Sequence, residues 1–250
     1  MVDDGVIVVI MAGGAGKRMN SSLPKVLHRV LNKPMLVHVV ETAMGLNPRK
    51  ILIVVGEHKT AISETLDQYN VLPYIEFVHQ EHPQGTGHAV QCCRDFLYEE
   101  SNNNTKVLIL SGDVPLIKRS SLELLMDQMT NVRIMTTCMD DPHGYGRIIE
   151  KDGIFDKIVE EKDCNDEQRV CKKVNAGIYC FNGRLLHKYL PLLQNNNAQQ
   201  EYYLTDIVEL IKNGENVVIE SYDIPIEKQI EIMGVNNPVQ LEELNKKTND

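Results

Sequence analysis

Val6-Ile7-Val8-Val9-Ile10-Met11 runs without a polar residue into Ala12-Gly13-Gly14-Ala15-Gly16-Lys17-Arg18-Met19. Six consecutive apolar, mostly β-branched residues predict a strand buried on both faces. The glycines that follow let backbone N–H groups approach an anion with no Cβ in the way. Two familiar phosphate loops do not fit. Gly14-x-Gly16-x-x-Met19 lacks the third glycine of the dinucleotide fingerprint, and a Walker loop needs Ser or Thr where Arg18 stands and a glycine where Met11 stands. Asn20-Ser21-Ser22-Leu23-Pro24-Lys25 is expected to stay extended, because Pro24 disfavours helix at Leu23. Lys17, Arg18 and Lys25 thus crowd three cations into a short stretch of a chain whose net charge is −9. Arg supplies a planar fork for phosphate oxygens and Lys a compact point charge. The plain alternative, a glycine turn carrying solvated cations, does not account for the added Pro24-Lys25.

Outward from this loop, short β-branched runs alternate with amphipathic stretches. Val6–Met11, Ile51–Val55, Ile75–Val78 and Val107–Leu110 read as strands. Pro34 to Leu46, His58–Tyr69 and Gly87–Glu99 read as helices, with Pro34 suited to a first helical position. The alternation predicts an α/β fold with βαβ crossovers: a mixed, mostly parallel sheet flanked by helices, with ligands at the carboxyl ends of the strands. Beyond Asp113 the rhythm changes. Val132–Cys138, Phe155–Glu160, Val174–Phe181 and Val217–Glu220 read as further strands. Helices are expected from Gly183 to about Leu193, over about Thr205–Lys212, and from Pro238 onward, with Asn195-Asn196-Asn197 as a break. No repeat or low-complexity linker divides the chain. It reads as one domain over 1–250: a first lobe over about 1–115, a second over about 116–236 joined by one continuous sheet, and a terminal helix over 237–250.

Composition limits the partners. With 26 Lys+Arg against 35 Asp+Glu over 250 residues, the chain has no general basic face for nucleic acid or an anionic membrane. Any anion must be held by local cations. Met1-Val2-Asp3-Asp4-Gly5 is acidic where a secretory signal is basic, and Val6 to Ala12 is too short to span a bilayer. Cys92, Cys93, Cys138, Cys164, Cys171 and Cys180 form no C-x-x-C, and the eight histidines show no paired ligand spacing, so reduced thiols, a cytoplasmic location and no zinc are expected.

Ala12-Gly13-Gly14-x-Gly16-x-Arg18-Met19 with Leu23-Pro24-Lys25 resembles the signature of the sugar-1-phosphate nucleotidyltransferases. Gln84-Gly85-Thr86-Gly87-His88-Ala89, Gly112-Asp113-Val114-Pro115-Leu116 and Asp141-Pro142-His143-Gly144-Tyr145-Gly146-Arg147-Ile148 extend the likeness. Val159-Glu160, Asn175-Ala176-Gly177, Asn195 to Gln199, Glu201-Tyr202-Tyr203-Leu204-Thr205-Asp206 and Gly234-Val235-Asn236-Asn237 follow in order. Together, from Val6 to Leu244, they are similar to the uridyltransferase domain of the bacterial bifunctional N-acetylglucosamine-1-phosphate uridyltransferases. The resemblance implies a Rossmann-like nucleotidyltransferase fold and transfer of uridylyl from UTP to N-acetylglucosamine 1-phosphate, releasing pyrophosphate.

It also implies roles. Asp113 and Asn236 are implied ligands of Mg²⁺, which takes few protein oxygens and keeps the rest of its octahedron for water and phosphate. On the residues alone, Asp113 reads equally as a turn residue before Pro115, and Asn236 as a helix cap before Pro238. Arg18 and Lys25 are the implied catalytic cations. Ala12, Gly13, Gly14, Gln80, Gly85 and Thr86 are implied nucleotide contacts, Gln80 because an amide offers a pyrimidine edge both a donor and an acceptor; its plain reading is a surface residue. Gly146, Glu160 and Asn175 are implied sugar contacts, with Tyr203 and Thr205 near the phosphate and acetamido groups; Glu160 could instead pair with Lys157 or Lys162.

Two positions depart from the pattern. Gly13 stands where the bacterial uridyltransferases often carry alanine and thymidylyl- and guanylyl-transferring relatives carry glycine. Ser111 replaces a commonly aromatic residue of the cleft. No hexapeptide repeat stands in the sequence, so no β-helix domain is expected, the acetylated sugar is expected from another enzyme, and a monomer or weak dimer is expected in place of a β-helix trimer. The alternatives are a uridylyl- or thymidylyltransferase for another hexose 1-phosphate and a sugar-nucleotide sensor that has lost catalysis, a role that has no need of the metal pair.

Overall fold

The protein is described by a computed structural model over residues 5–14, 16–100 and 105–248; Met1–Asp4 and the side chain of Lys17 lie outside what is described. In chain order the elements begin with β1 (Val6–Met11), β2 (Arg29–Val30), β3 (Lys33–Pro34), α1 (Met35–Met44), β4 (Lys50–Val55), α2 (Lys59–Gln68), β5 (Ile75–His79), α3 (Thr86–Gln91), α4 (Arg94–Glu100) and β6 (Lys106–Ser111). There follow α5 (Arg119–Met126), β7 (Val132–Cys138), β8 (Arg147–Lys151), β9 (Ile154–Val159), α6 (Asp166–Arg169), β10 (Lys173–Asn182), α7 (Gly183–Tyr189), α8 (Asp206–Glu215), β11 (Glu220–Asp223) and α9 (Pro238–Lys247).

Period-2 alternation along β1 builds the layers. Val8 and Ile10 face α1, α2 and α5 through Leu36, Val40, Ile62, Leu66 and Leu125. Ile7 and Val9 face α3, α4, α7 and α8 through Val90, Leu97, Leu186 and Ile207. Because both faces are covered, Ile7 to Ile10 are fully buried, and the uninterrupted apolar run is what such a strand requires. Among the described residues the main sheet runs β11-β7-β10-β6-β1-β4-β5, with β8 and β9 attached to β10. β1 is parallel to β4 and β6, pairing Val8 with Ile51 and Leu108, while β10 is antiparallel to β6 and β7. The sheet is therefore mixed and mostly parallel, and it is continuous through both halves of the chain.

Several expectations shift. The helix expected over 87–99 divides into α3 and α4, where the Cys93 N–H reaches the Val90 carbonyl and tightens the turn. The last strand lies at Glu220–Asp223 and not at Val217–Glu220: the Val217 N–H closes α8 on Lys212 and Val218 is 69% exposed. Polar β11 is held instead by the Arg133–Glu220 ion pair at its start. Pro34 precedes α1 as its cap. Pro191 ends α7 early, leaving a single 3₁₀ turn over Leu190–Leu192. Asn20 takes φ +49°, so the segment before Lys25 bends and is not extended throughout. Helix α5, the hairpin β2–β3 and strand β8 were not anticipated. Among the described residues no helix is long and apolar enough to cross a membrane.

Candidate active site

The first loop leaves β1 pinned on both sides: the Ala12 N–H donates to the Val54 carbonyl and the Gly112 N–H to the Met11 carbonyl, both at 2.9 Å. Gly16 sits at φ +59°, and a Cβ there would lie 2.7 Å from the Lys25 Cβ. Glycine is thus needed for the turn and for the return of Lys25 over the carboxyl end of the sheet. The Gly16 carbonyl then accepts from Met19, which sends Arg18 outward into the cleft.

Asp113 ends the loop after β6 and is only 8% exposed. One of its oxygens accepts from Ser111 Oγ at 2.6 Å and the other from Lys25 Nζ. The Val235 N–H donates to the Asp113 carbonyl at 3.0 Å and brings Asn236 opposite. Asn236 Oδ1 accepts from Lys25 Nζ and from the Arg18 guanidinium, each at 3.2 Å. The cap of α9 is Asn237, whose side chain accepts from the Gln240 N–H, so the amide of Asn236 is released for the cleft. Four groups from distant parts of the sequence, Arg18, Lys25, Asp113 and Asn236, meet here.

On one side of this cluster lies a recess of about 270 Å³ lined by Ala12, Gly13, Gly14, Gln80, Gly85 and Thr86, with Lys25 and Asp113 at its inner end. Gln80 is buried, not a surface residue, and its amide nitrogen lies 3.0 Å from Nδ1 of His88 and 3.4 Å from the Gly85 carbonyl. Gly85 has φ +107°, and a Cβ on it would come within 2.6 Å of the Tyr202 carbonyl. That close approach stitches the Gly85-Thr86-Gly87 turn to the 201–205 segment: Gly87 donates to Tyr202 and Leu204 donates to Thr86 Oγ1.

On the other side lies a larger recess of about 430 Å³, reached by Arg18, Thr86, Asp113 and Asn236 and lined by Gly146, Glu160, Asn175 and Thr205. A bulge in β10 between Asn175 and Tyr179, with Gly177 at φ +72°, turns Asn175 into it. Tyr179 and the Gly177 N–H fix the Asn175 amide, its nitrogen 2.6 Å from the hydroxyl of Tyr179 and its oxygen 3.0 Å from the amide nitrogen of Gly177. Glu160 accepts from the Thr205 hydroxyl at 3.0 Å. Burial raises its pKa, against the pull of Thr205, and the neighbouring Asp206, Asp163 and Glu201 push the same way. Gly146 leaves room: a Cβ there would stand 3.2 Å from Ile158 and 3.5 Å from the Glu160 carboxylate. Tyr145 beside it has a raised pKa, from burial first and the Asp113 charge second. Tyr203 does not line either recess; it is buried, donates to Asp163 at 3.1 Å, and is pushed up to about 12 chiefly by burial.

The two recesses share Met11, Thr86, Ser111 and Asp113, so they form one cleft with the charged cluster at its waist. Sequence reading missed the Ser111 hydroxyl on Asp113, the His88 ring on Gln80 and Glu161. The carboxylate of Glu161 accepts from Arg147 and the Gly144 N–H, tying down the Tyr145-Gly146 loop. Burial favours its neutral form, but these two bonds outweigh that and lower its pKa. The short spacings from Ser111 to Asp113 and from Gln80 to His88 were visible; which side chains would face each other was not.

Residues 7–222 match the family model described as nucleotidyl transferase. The chain belongs to the nucleotidyl transferase family. This nucleotidyltransferase is 40% identical over 246 residues to a probable UDP-N-acetylglucosamine pyrophosphorylase of Acanthamoeba polyphaga mimivirus, covering 96% of this chain and 95% of the relative. It is 43% identical over 243 residues to the bifunctional protein GlmU of Francisella tularensis subsp. novicida (strain U112), covering 96% of this chain and 51% of the relative. The nucleotidyltransferase thus spans about half the length of that bacterial relative. Its fold superposes on a putative glucose-1-phosphate thymidylyltransferase from Bacillus anthracis with a TM-score of 0.74 at 20% identity, covering 98% and 96% of the two chains. A UDP-glucose pyrophosphorylase complexed with UDP-glucose gives 0.74 at 17% identity, covering 97% and 98%. At those identities the structural likeness speaks for the fold alone.

Proposed function

We propose that this nucleotidyltransferase joins UTP to N-acetylglucosamine 1-phosphate, forming UDP-N-acetylglucosamine and pyrophosphate. The observation that carries the reading is the waist of the cleft, where two cations and two hard oxygen donors stand between a recess for a nucleotide and a recess for a sugar. The name of the 40% identical relative, a probable UDP-N-acetylglucosamine pyrophosphorylase, supports the choice of substrates.

The donor set suits a divalent ion of the Mg²⁺ class. Asp113 and Asn236 both direct an oxygen at the Lys25 ammonium, so one cation already lies between them, and hard ions take such oxygens. Mg²⁺ held by Asp113 and Asn236 would supply Lewis-acid polarisation of phosphate oxygens. The remaining work falls to the chain. Arg18 and Lys25 neutralise the α-phosphate and the leaving pyrophosphate. Gln80, Gly85 and Thr86 orient the base against Ala12, Gly13 and Gly14. Gly146, Glu160, Asn175 and Thr205 hold the sugar so that its 1-phosphate oxygen faces the α-phosphorus in line. That oxygen forms the new P–O bond as the bond to pyrophosphate breaks, so no enzyme nucleophile is required. Residues to about 115 serve the nucleotide, those to about 236 the sugar, and α9 holds Asn236 in place.

Pyrophosphate release with Mg²⁺ and UTP should be strongest for N-acetylglucosamine 1-phosphate among a panel with glucose 1-phosphate, glucosamine 1-phosphate and dTTP, and Asp113→Ala should abolish it. Turnover restricted to another pair would retain the chemistry and overturn the substrate choice. Tight sugar-nucleotide binding without turnover would overturn the reaction.

A further inference from the structure

We infer that His88 sets the choice of pyrimidine by fixing which end of the Gln80 amide faces the nucleotide recess. This rests on the proposed reaction only in taking Gln80 as a group that meets the base. An amide offers a donor at one end and an acceptor at the other, and either could face a ligand. The contacts around Gln80 decide between them. Its nitrogen end lies 3.4 Å from the Gly85 carbonyl and 3.0 Å from Nδ1 of His88. A backbone carbonyl can only accept, so this end is the NH₂, and Nδ1 of His88 must be the bare, accepting nitrogen. The proton of the neutral ring then sits on Nε2, which faces the Cys92 sulfur at 3.9 Å. The Gly85 contact is long, and the shorter bond to His88 supplies most of the orientation.

The other end of the amide, Oε1, has no hydrogen-bond partner among the described residues. It lies against the first loop, 3.0 Å from where a Cβ on Gly13 would stand, and Gln80 as a whole is 4% exposed. An acceptor that borders the recess without a protein partner favours a ligand that brings an N–H to it. Facing the N3 edge of a pyrimidine, Oε1 accepts from the N3–H of uracil or thymine and opposes the bare N3 of cytosine. With the accepting nitrogen of His88 removed, the amide can turn over and offer its NH₂ to cytosine. His88 is thus a positioning residue that acts through Gln80.

The test is calorimetric binding of UTP and of CTP to the wild-type chain, His88→Phe and His88→Asn, with thermal melts of each. The phenyl ring keeps most of the shape and removes the acceptor; the Asn side-chain oxygen can take the place of Nδ1. His88→Leu is the second acceptor-free variant, read in the same way where the phenyl ring disturbs folding. Wild type should prefer UTP by at least about tenfold, the acceptor-free variants should lose most of that ratio, and His88→Asn should retain it. An unchanged ratio in the acceptor-free variants, an equal loss in His88→Asn, or a wild-type chain with no preference for UTP would overturn the inference. Turnover with N-acetylglucosamine 1-phosphate is measured separately. A chain that prefers UTP through His88 yet makes no pyrophosphate loses the proposed reaction and keeps this inference, while the reverse pattern does the opposite.

Discussion

Lys25 is the residue on which the waist of the cleft turns, because its ammonium touches both Asp113 and Asn236 from a half-buried side chain. Among the described residues Arg18 reaches only Asn236, and it is exposed. The two cations should therefore differ when removed. Lys25→Ala leaves the Asp113 carboxylate with Ser111 as its remaining side-chain partner, and a group acting mainly in the transition state costs about 3–4 kcal/mol, near a 10²–10³-fold fall in kcat. Steady-state kinetics with UTP varied reads the outcome; a rise in KM with kcat intact would assign Lys25 to uniform binding of the nucleotide instead. At this scale the sequence was informative where chemistry is written in residue type: the glycines, Arg18, Lys25 and Asp113 stood out by composition and spacing. Asn236 did not, because an Asn one or two residues before Pro238 reads as a cap, and only the fold shows that Asn237 takes that task. Ser111 and His88 were hidden for a similar reason. Their partners are fixed by strand and helix geometry, not by residue type.

Helix α8 carries a different kind of cost. Its first residue, Asp206, has its pKa raised from 3.8 to about 6, by burial first and then by the charges of Glu209 and Asp163. Between about pH 4 and 6 the folded chain holds a proton on Asp206 that the unfolded chain has released, so this group's contribution to stability falls as pH rises through that window. On a fully buried group such a shift corresponds to about 3 kcal/mol; Asp206 is only half-buried, and solvent screening leaves roughly 1 kcal/mol. Asp206→Asn should stabilise the protein by about that much at pH 8 and by much less at pH 4.5, measured by urea unfolding at both values. An equal gain at the two pH values would point to altered packing of the helix. Elements were legible wherever period and length agreed, as in β1, β4, β6 and α2. They were lost where an element is short or polar: α5 buries only Ser121, Leu122, Leu125 and Met126, and β11 is held by an ion pair in place of a β-branched run. The bulge that aims Asn175 also has no local signature beyond Gly177, since register belongs to the pairing of β10 with β7.

Across the whole molecule, the residues that flank the charged waist divide between clusters: Val26, beside Lys25, and Val114, beside Asp113, belong to one of the two large ones, whereas the neighbours of Arg18 and Asn236 do not. Met19, beside Arg18, and Val235, beside Asn236, pack with Val30, Met35 and Leu244 in a third, small cluster. Hydrogen bonds reinforce it: Asn245 donates to the Arg29 carbonyl and accepts from the Leu31 N–H, clamping α9 onto the turn of β2–β3. The Arg18–Asn236 side of the cleft is therefore assembled where the first loop and the last helix meet, and its integrity depends on a patch with few apolar contacts compared with the main cores. Segments held by small clusters open locally at lower free energy than the fold as a whole. Leu244 is fully buried there, and truncating such a leucine costs about 2–5 kcal/mol. Leu244→Ala should lower turnover steeply while the cooperative melt of the two main cores moves little. Backbone amides over 235–247 and around Met19 should exchange faster with solvent than those of β1, β4 and β6. A single melting transition lowered by the full cost, with protection falling evenly across the sheet and α9, would instead show that the third cluster unfolds only with the other two. In that case any loss of turnover would follow from global stability and not from local release of Asn236.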